Sequence, residues 1–99
     1  MAYTIEFSES VKDHLKALTT NQRTIILDAI ETQLKDEPLK ETRHRKPLRP
    51  NPIAPWELRV GELRVFYENA PEPSKTIMIL AIGHKQGNQL FIGGTEVSL

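Results

Sequence analysis

Residues 56–69 constrain the fold more than any other part of the chain. Their sequence, WELRVGELRVFYEN, has two stretches of alternating apolar and polar residues on either side of Gly61 and Glu62. Such alternation predicts strands, and a two-residue connection that begins with glycine predicts a tight hairpin. The resulting register places Arg59 directly opposite Arg64. Because facing like charges destabilise a sheet, we expect an anion between the two arginines, which points to phosphate and therefore to RNA or DNA.

The remaining sequence predicts two helices before the hairpin and further strands on both sides of it. Apolar residues recur at helical intervals at Val11, Leu15 and Leu18 and again at Ile26, Ile30 and Leu34. Further strands are expected over residues 2–7, 76–83 and 89–92, with a proline-rich loop over 38–55 and a turn over 70–74. This order predicts one domain over residues 1–99 with an α+β fold, in which two N-terminal helices pack on one face of a mostly antiparallel sheet of four to five strands.

Period-two geometry assigns the side chains of the hairpin to two faces. The side chains expected under the helices are Leu58, Val60, Leu63, Val65 and Tyr67. Those expected on the other face are Glu57, Arg59, Arg64 and Phe66. In the strand that follows, alternation does not decide whether His84 or Lys85 joins the arginines, so both are candidates.

Charge is concentrated although the formal net charge is zero. Residues 39–64 hold seven Lys/Arg and three Asp/Glu. A local basic site on a neutral body can bind a polyanion, although a solvated basic loop explains the same run equally well.

Several classes of function are disfavoured by what the sequence lacks. The chain has no cysteine and no metal-ligand spacing among its three histidines, so neither a disulfide nor a metal site is expected, and His14 and His44 are interpreted as incidental. No glycine-rich phosphate loop is present. The start shows no signal-peptide pattern and no apolar run reaches membrane-spanning length. A cytoplasmic location, no membrane association and no small-molecule cofactor are therefore expected.

One chemistry that suits these residues is RNA cleavage by the 2′-hydroxyl of the substrate. It requires a proton acceptor, a proton donor and positive charge around the crowded phosphorus. Arg59 and Arg64 suit the last requirement because the guanidinium group binds two phosphate oxygens. His84, Lys85 and Glu57 are candidates for proton transfer. Phe66 and Phe91 are candidates for stacking on a base.

Each of these residues also has a structural interpretation. The arginines can pair with Glu57, Glu62 or Glu68 on a solvated face. His84 and Lys85 can be ordinary residues at a strand end, and both phenylalanines can be packing residues.

The hairpin sequence RVGELRVFY and the strand end ILAIGHK, together with the order of elements, resemble the RelE/ParE superfamily of type II toxin–antitoxin systems over nearly the whole chain. The resemblance implies a metal-independent mRNA endoribonuclease that cuts mRNA on the ribosome and inhibits translation, and that a cognate antitoxin neutralises. It also implies two alternatives: a non-enzymatic ParE-like inhibitor of DNA gyrase, or a degenerate member that only binds its antitoxin.

The resemblance assigns roles to particular residues. Arg64 matches the arginine that contacts the scissile phosphate, and Arg59 matches a basic residue of the preceding strand. Lys85, beside His84, stands where arginine is commoner, and Phe91 stands where RelE has a tyrosine. The basic residues that match a ribosomal RNA contact before the hairpin are Arg43, Arg45, Lys46 and Arg49.

Overall fold

The computed structural model describes residues 3–70 and 75–98 and consists of two helices packed on one sheet. In chain order the elements are β1 (Thr4–Phe7), α1 (Ser10–Lys16), α2 (Thr20–Gln33), β2 (Arg45–Pro47), β3 (Trp56–Val60), β4 (Leu63–Asn69), β5 (Thr76–Gln86), β6 (Gln89–Ile92) and β7 (Thr95–Val97). Within the described residues the sheet has seven strands in the order β2-β3-β4-β5-β6-β7, and β1 pairs with β5 in parallel. The other pairings are antiparallel. The predicted α+β fold is confirmed, with more strands than the expected four or five.

The proline-rich segment over residues 38–55 is not the continuous loop that we expected. Arg45–Pro47 form β2 and pair with β3. Pro47 is tolerated because β2 lies at the edge of the sheet, where a missing N–H disrupts no further pairing. The expected turn over residues 70–74 lies, apart from Ala70, outside the described residues.

The two helices bury the apolar residues that their periodicity predicts. α2 begins after Thr19, whose hydroxyl accepts from the backbone N–H of Gln22, while the Gln22 side chain accepts from the backbone N–H of Thr19. This reciprocal pair satisfies two helix-terminal donors and fixes the start of the helix. Ile26 and Ile30 of α2 are buried against the sheet.

Both faces of the sheet are apolar at their centres. The helix face, which we define as the side under α1 and α2, contributes Leu58, Leu63, Val65, Tyr67, Ile77, Ile79 and Ile82 to the main core. The opposite face carries a smaller buried cluster of Ala54, Phe66, Ala81 and Leu90, against which Leu48, Ile53, Leu80 and Ile92 pack. The loop around residues 48–54 therefore covers part of the face that the sequence suggested would be bare.

The β3–β4 hairpin has the predicted register. Arg59 lies opposite Arg64 and Val60 opposite Leu63. Gly61 has a φ of 59°, whereas no non-glycine residue in the described ranges has a positive φ. A left-handed first turn residue followed by an ordinary second one is the pattern of a type II′ hairpin turn, which explains the glycine.

An irregularity in β5 decides which side chains join the arginines. Phe66 pairs with Ala81 but Tyr67 pairs with Ile79, so Leu80 is an extra residue, a β-bulge. A bulge reverses the alternation of faces beyond it. Ile77, Ile79 and Ile82 consequently all lie in the main core, although a regular strand would place Ile82 on the other face from the first two.

Candidate functional site

The predicted arginine pair surrounds a buried carboxylate. The Nε of Arg59 donates to Glu57 Oε2 over 2.8 Å, and the Nε of Arg64 lies 3.8 Å from Glu57 Oε1. The Glu57 side chain is only 4% exposed. The anion that we expected between the arginines is thus, in the isolated chain, supplied by the protein itself.

The two arginines differ sharply in their surroundings. The Arg64 side chain is 13% exposed, and its Nη1 donates to the carbonyls of Gly61 and Leu63 at 2.7 and 2.8 Å. Burial lowers the pKa of Arg64, with Glu57 opposing and Arg59 reinforcing that shift. The Arg59 side chain is 48% exposed, and within the described residues neither of its terminal nitrogens has a partner. Arg64 therefore stabilises the hairpin turn through these hydrogen bonds, whereas the terminal nitrogens of Arg59 are free to bind a ligand.

Lys85, and not His84, shares a face with the arginines. Arg64 pairs with Gly83 and Leu63 pairs with His84, so Gly83 and Lys85 lie on the opposite face and His84 on the helix face. The His84 ring stacks on Phe91, with centroids 5.4 Å apart and planes 18° from parallel. The choice that alternation left open therefore falls to Lys85, and the candidates His84 and Phe91 lie on the other face of the sheet from the arginines.

Phe66 is fully buried in the smaller core of the opposite face. An unpaired base needs an accessible ring face to stack on. The structure therefore contradicts the expectation that Phe66 binds substrate, and the packing interpretation applies instead.

The basic residues before the hairpin divide into two groups. Arg45 donates to the backbone carbonyls of Gln33 and Lys40 and thereby anchors the segment after α2, a structural role that the sequence did not indicate. Lys46 pairs with Glu57 in the sheet, which places its side chain on the opposite face, where it forms an ion pair with Glu41 at 3.5 Å. Arg43 and Arg49 are exposed.

The opposite face thus carries four cations. We call Lys46, Arg59, Arg64 and Lys85 the cationic cluster; register assigns all four to the face that also carries Glu57. Among the described residues, no hydrogen bond or ion pair engages the Lys85 side chain. The cluster keeps a positive excess that suits a phosphate, with Arg59 and Lys85 as its accessible members.

Comparison with known proteins assigns the chain to a family. Residues 5–88 match the model of the ParE toxin of the type II toxin–antitoxin system parDE. The chain belongs to this toxin family. The predicted membership of the RelE/ParE superfamily is confirmed.

One solved structure supports the same assignment for this ParE-family toxin. It is the crystal structure of the toxin–antitoxin complex RelBE2 from Mycobacterium tuberculosis, with a TM-score of 0.72 and 27% identity, and the match covers 86% of this chain and 100% of that one. A search of curated proteins finds no significant match. Neither helix in the described ranges has the length and hydropathy that crossing a membrane requires. The described residues bring together no group of three or more His, Cys, Asp or Glu that could hold a metal ion.

His14, which we interpreted as incidental, has a specific structural role in this toxin. Its Nδ1 accepts from the backbone N–H of Ile82 over 3.2 Å, and the hydroxyl of Ser8 donates to the carbonyl of Leu80. Both backbone groups lie at the bulge, where strand pairing is interrupted. His14 continues the apolar stripe of α1 between Val11 and Leu15, and this position on the buried face was the signal that the sequence offered.

Replacing His14 with asparagine is expected to make folding less sensitive to acid. Burial lowers the pKa of His14, partly opposed by Asp13. The unfolded chain therefore takes up a proton first as the pH falls, so the stability contribution is present above pH about 6.5 and is lost as the pH falls through the lower, folded-state value. Asparagine offers its Oδ1 near the position of Nδ1 without titrating. Urea unfolding between pH 5 and 8 measures how steeply the free energy of unfolding changes with pH, and His44→Asn is the control at an exposed histidine. If His14→Asn leaves this pH dependence unchanged, His14 is not its source.

Proposed function

We propose that this ParE-family toxin is a metal-independent endoribonuclease that cuts mRNA on the ribosome and thereby inhibits translation. The observation that carries the proposal is the accessible guanidinium group of Arg59 on the same face as the side chain of Lys85, which has no hydrogen-bond or ion-pair partner in the described part of the chain. Positive charge aimed at a developing phosphorane is often the largest contribution to catalysis of this kind. Exposed Arg43 and Arg49 add a basic surface toward ribosomal RNA.

In the proposed reaction, the 2′-oxygen of the substrate attacks the adjacent phosphorus as its proton passes to a solvent water. The bond from phosphorus to the 5′-oxygen then breaks, and that oxygen takes up a proton, so the products are a 2′,3′-cyclic phosphate and a 5′-hydroxyl. Arg59 stabilises the extra negative charge on the phosphoryl oxygens. The ammonium of Lys85 is the proton donor to the leaving 5′-oxygen. Glu57 is too deeply buried, at 4% exposure of its side chain, to serve as the base, and its role is to hold the arginines.

Dependence on the ribosome follows from the modest set of groups in the cluster. Beside Lys85 lies exposed Glu62, whose backbone carbonyl accepts from the Lys85 N–H over 2.7 Å, and a single ammonium and carboxylate pair is a small set of proton-transfer groups. A substrate already bent and aligned by the ribosome needs less from the enzyme, because correct orientation alone lowers the barrier substantially. The proposed site of action is the cytoplasm, and the proposed partners are the ribosome and mRNA.

A cognate antitoxin is the proposed regulatory partner. The similar solved structure is a toxin–antitoxin complex, and the matched family model is named for the parDE system. We expect the antitoxin to block access to the cationic cluster or to hold the toxin away from its target.

Inhibition of DNA gyrase without catalysis is the second candidate function. Two observations favour it: Glu57 already neutralises one arginine charge, and His84 and Phe91 face away from the cluster. Under this alternative the cationic cluster only stabilises the hairpin and the sheet. The target of the toxin is then gyrase bound to DNA. A degenerate chain that only binds its antitoxin is the remaining alternative.

Mapping message ends after brief induction of the toxin separates these functions. The nuclease should produce new 5′ ends at fixed positions within codons of translated messages, and the same cuts on purified ribosomes with a defined mRNA. Intact messages with accumulation of broken DNA and loss of supercoiling by purified gyrase would favour the second function. Normal growth with intact message and DNA would favour the degenerate one. Either of the last two outcomes contradicts the proposal.

A further inference from the structure

The hairpin contains two arginines, and their donors are used very differently. Nη1 of Arg64 donates to the carbonyls of Gly61 and Leu63, and its buried Nε has no hydrogen-bond partner among the residues that the structure describes. Arg59 uses only Nε, toward Glu57. Binding a phosphate through two oxygens needs two adjacent free N–H groups that a ligand can reach. Within the described residues, Arg59 meets this requirement and Arg64 does not.

We infer that Arg59 is the phosphate-binding arginine of this chain, and that Arg64 and Glu57 are positioning residues that hold its guanidinium group in place. This inference rests on the proposed function and deepens it. It also departs from what the resemblance implied, since the residue expected to contact the scissile phosphate was Arg64.

Glu57 positions Arg59 by engaging the inner edge of its guanidinium group. The carboxylate is buried and lies 2.8 Å from Nε of Arg59, compared with 3.8 Å from Nε of Arg64. A bond at Nε restricts the side chain while its two terminal nitrogens stay free. Fixing a long side chain before binding removes part of the entropy that binding would otherwise cost.

Arg64 contributes from the other side of the carboxylate. Its guanidinium group is fixed by two turn carbonyls, so its charge stays 3.8 Å from the Glu57 carboxylate and does not move toward solvent. Removing one partner from a buried charge is more harmful than the net strength of the pair suggests. The turn carbonyls therefore hold Arg64, the charge of Arg64 holds the Glu57 carboxylate, and Glu57 in turn holds the guanidinium group of Arg59.

The first test uses the wild-type chain and an RNA oligonucleotide whose 2′-oxygens are methylated, so that cleavage cannot occur. Side-chain ¹⁵N–¹H spectra of the arginine guanidinium groups are followed during titration. The terminal N–H signals of Arg59 should shift with the bound fraction, whereas those of Arg64 should stay in place. Shifts confined to Arg64, or none at either arginine, would overturn the inference. No outcome depends on a variant that has to fold.

The second test compares variants through the affinity for the same oligonucleotide at several salt concentrations. Arg59→Ala should reduce the magnitude of the salt slope by about 0.7, the contribution of one phosphate contact on a single strand. Arg64→Lys should leave the slope unchanged. The reverse result would return the phosphate contact to Arg64.

Glu57 provides the sharpest contrast, because its two possible roles predict opposite signs. If it merely reduces the positive charge, Glu57→Ala should bind RNA more tightly. If it positions Arg59, Glu57→Ala should bind about tenfold more weakly, and Glu57→Gln, which keeps an acceptor for Nε, should recover most of that loss. Tighter binding by Glu57→Ala would overturn the positioning role.

These measurements are made away from the ribosome and without cleavage. If the oligonucleotide contacts Arg59 but programmed ribosomes are never cut, the proposed function fails while the assignment of the phosphate contact stands. If ribosomes are cut but the signals of Arg59 do not respond, the assignment fails alone.

Discussion

Arg59→Ala is expected to lower the rate of message cleavage on programmed ribosomes about a hundredfold or more, the usual effect of losing one donor aimed at transition-state charge. The change should be visible as loss of growth arrest on induction. Folding should survive, because the Arg59 side chain is 48% exposed and Arg64 remains beside Glu57. We expect a decrease of about 2 kcal/mol in the free energy of unfolding, because the buried Glu57 carboxylate loses a hydrogen bond from a charged group.

The matched control for this prediction is Lys16→Ala. Lys16 is an exposed lysine in the last turn of α1, so this variant removes the same charge from a position outside the cationic cluster. Cleavage by Lys16→Ala should stay within about twofold of wild type, since exposed charges away from a site contribute little. Full cleavage by a folded Arg59→Ala chain would show that Arg59 makes no catalytic contact.

Gly83→Ala is expected to have the largest effect on stability. A Cβ at this position would lie 2.2 Å from the backbone carbonyl oxygen of Phe91 and 2.9 Å from Cγ1 of Ile92. Because a backbone atom cannot rotate away, β5 and β6 would have to separate or shift. We expect a loss of about 3 kcal/mol in the free energy of unfolding, the upper part of the range for overpacked sites.

Urea unfolding measures this loss, and Gly87→Ala is its control. No atom of the described residues lies within 4 Å of a Cβ at Gly87, where the obstacle to a side chain is a φ of 60°. That variant should lose about 1 kcal/mol, the strain of a left-handed residue. Equal losses in the two variants would show that the contact with β6 is not what requires glycine at position 83.

The sequence predicts the hairpin well because the relevant physics is local. Alternation, a glycine at the turn and a two-residue connection leave only one register, and the structure pairs Arg59 with Arg64 as expected. The helices are predictable for a similar reason, since apolar residues recur at helical intervals, as at Ile26 and Ile30, and these residues are buried in the structure. The overall α+β class follows from the order of these elements.

The candidate site was less predictable because it depends on contacts between distant parts of the chain. The loop around residues 48–54 packs over Phe66 and forms a second core with it. The alternation of residues in the hairpin cannot predict this contact. Arg45 turned out to anchor the chain after α2 through Gln33. The sequence offered Glu57 as one of several acidic neighbours, and only the fold shows that its carboxylate is buried between the arginines.

The extra residue in β5 has a consequence for the chemistry of related chains. It sets which of two adjacent side chains, His84 or Lys85, points toward the cationic cluster. A relative with the same strand end but a strictly regular strand would offer an imidazole to its ligand in place of an ammonium group. Its activity would then respond to pH changes near neutrality, so the presence or absence of a single inserted residue can set the acidity at which such a toxin works.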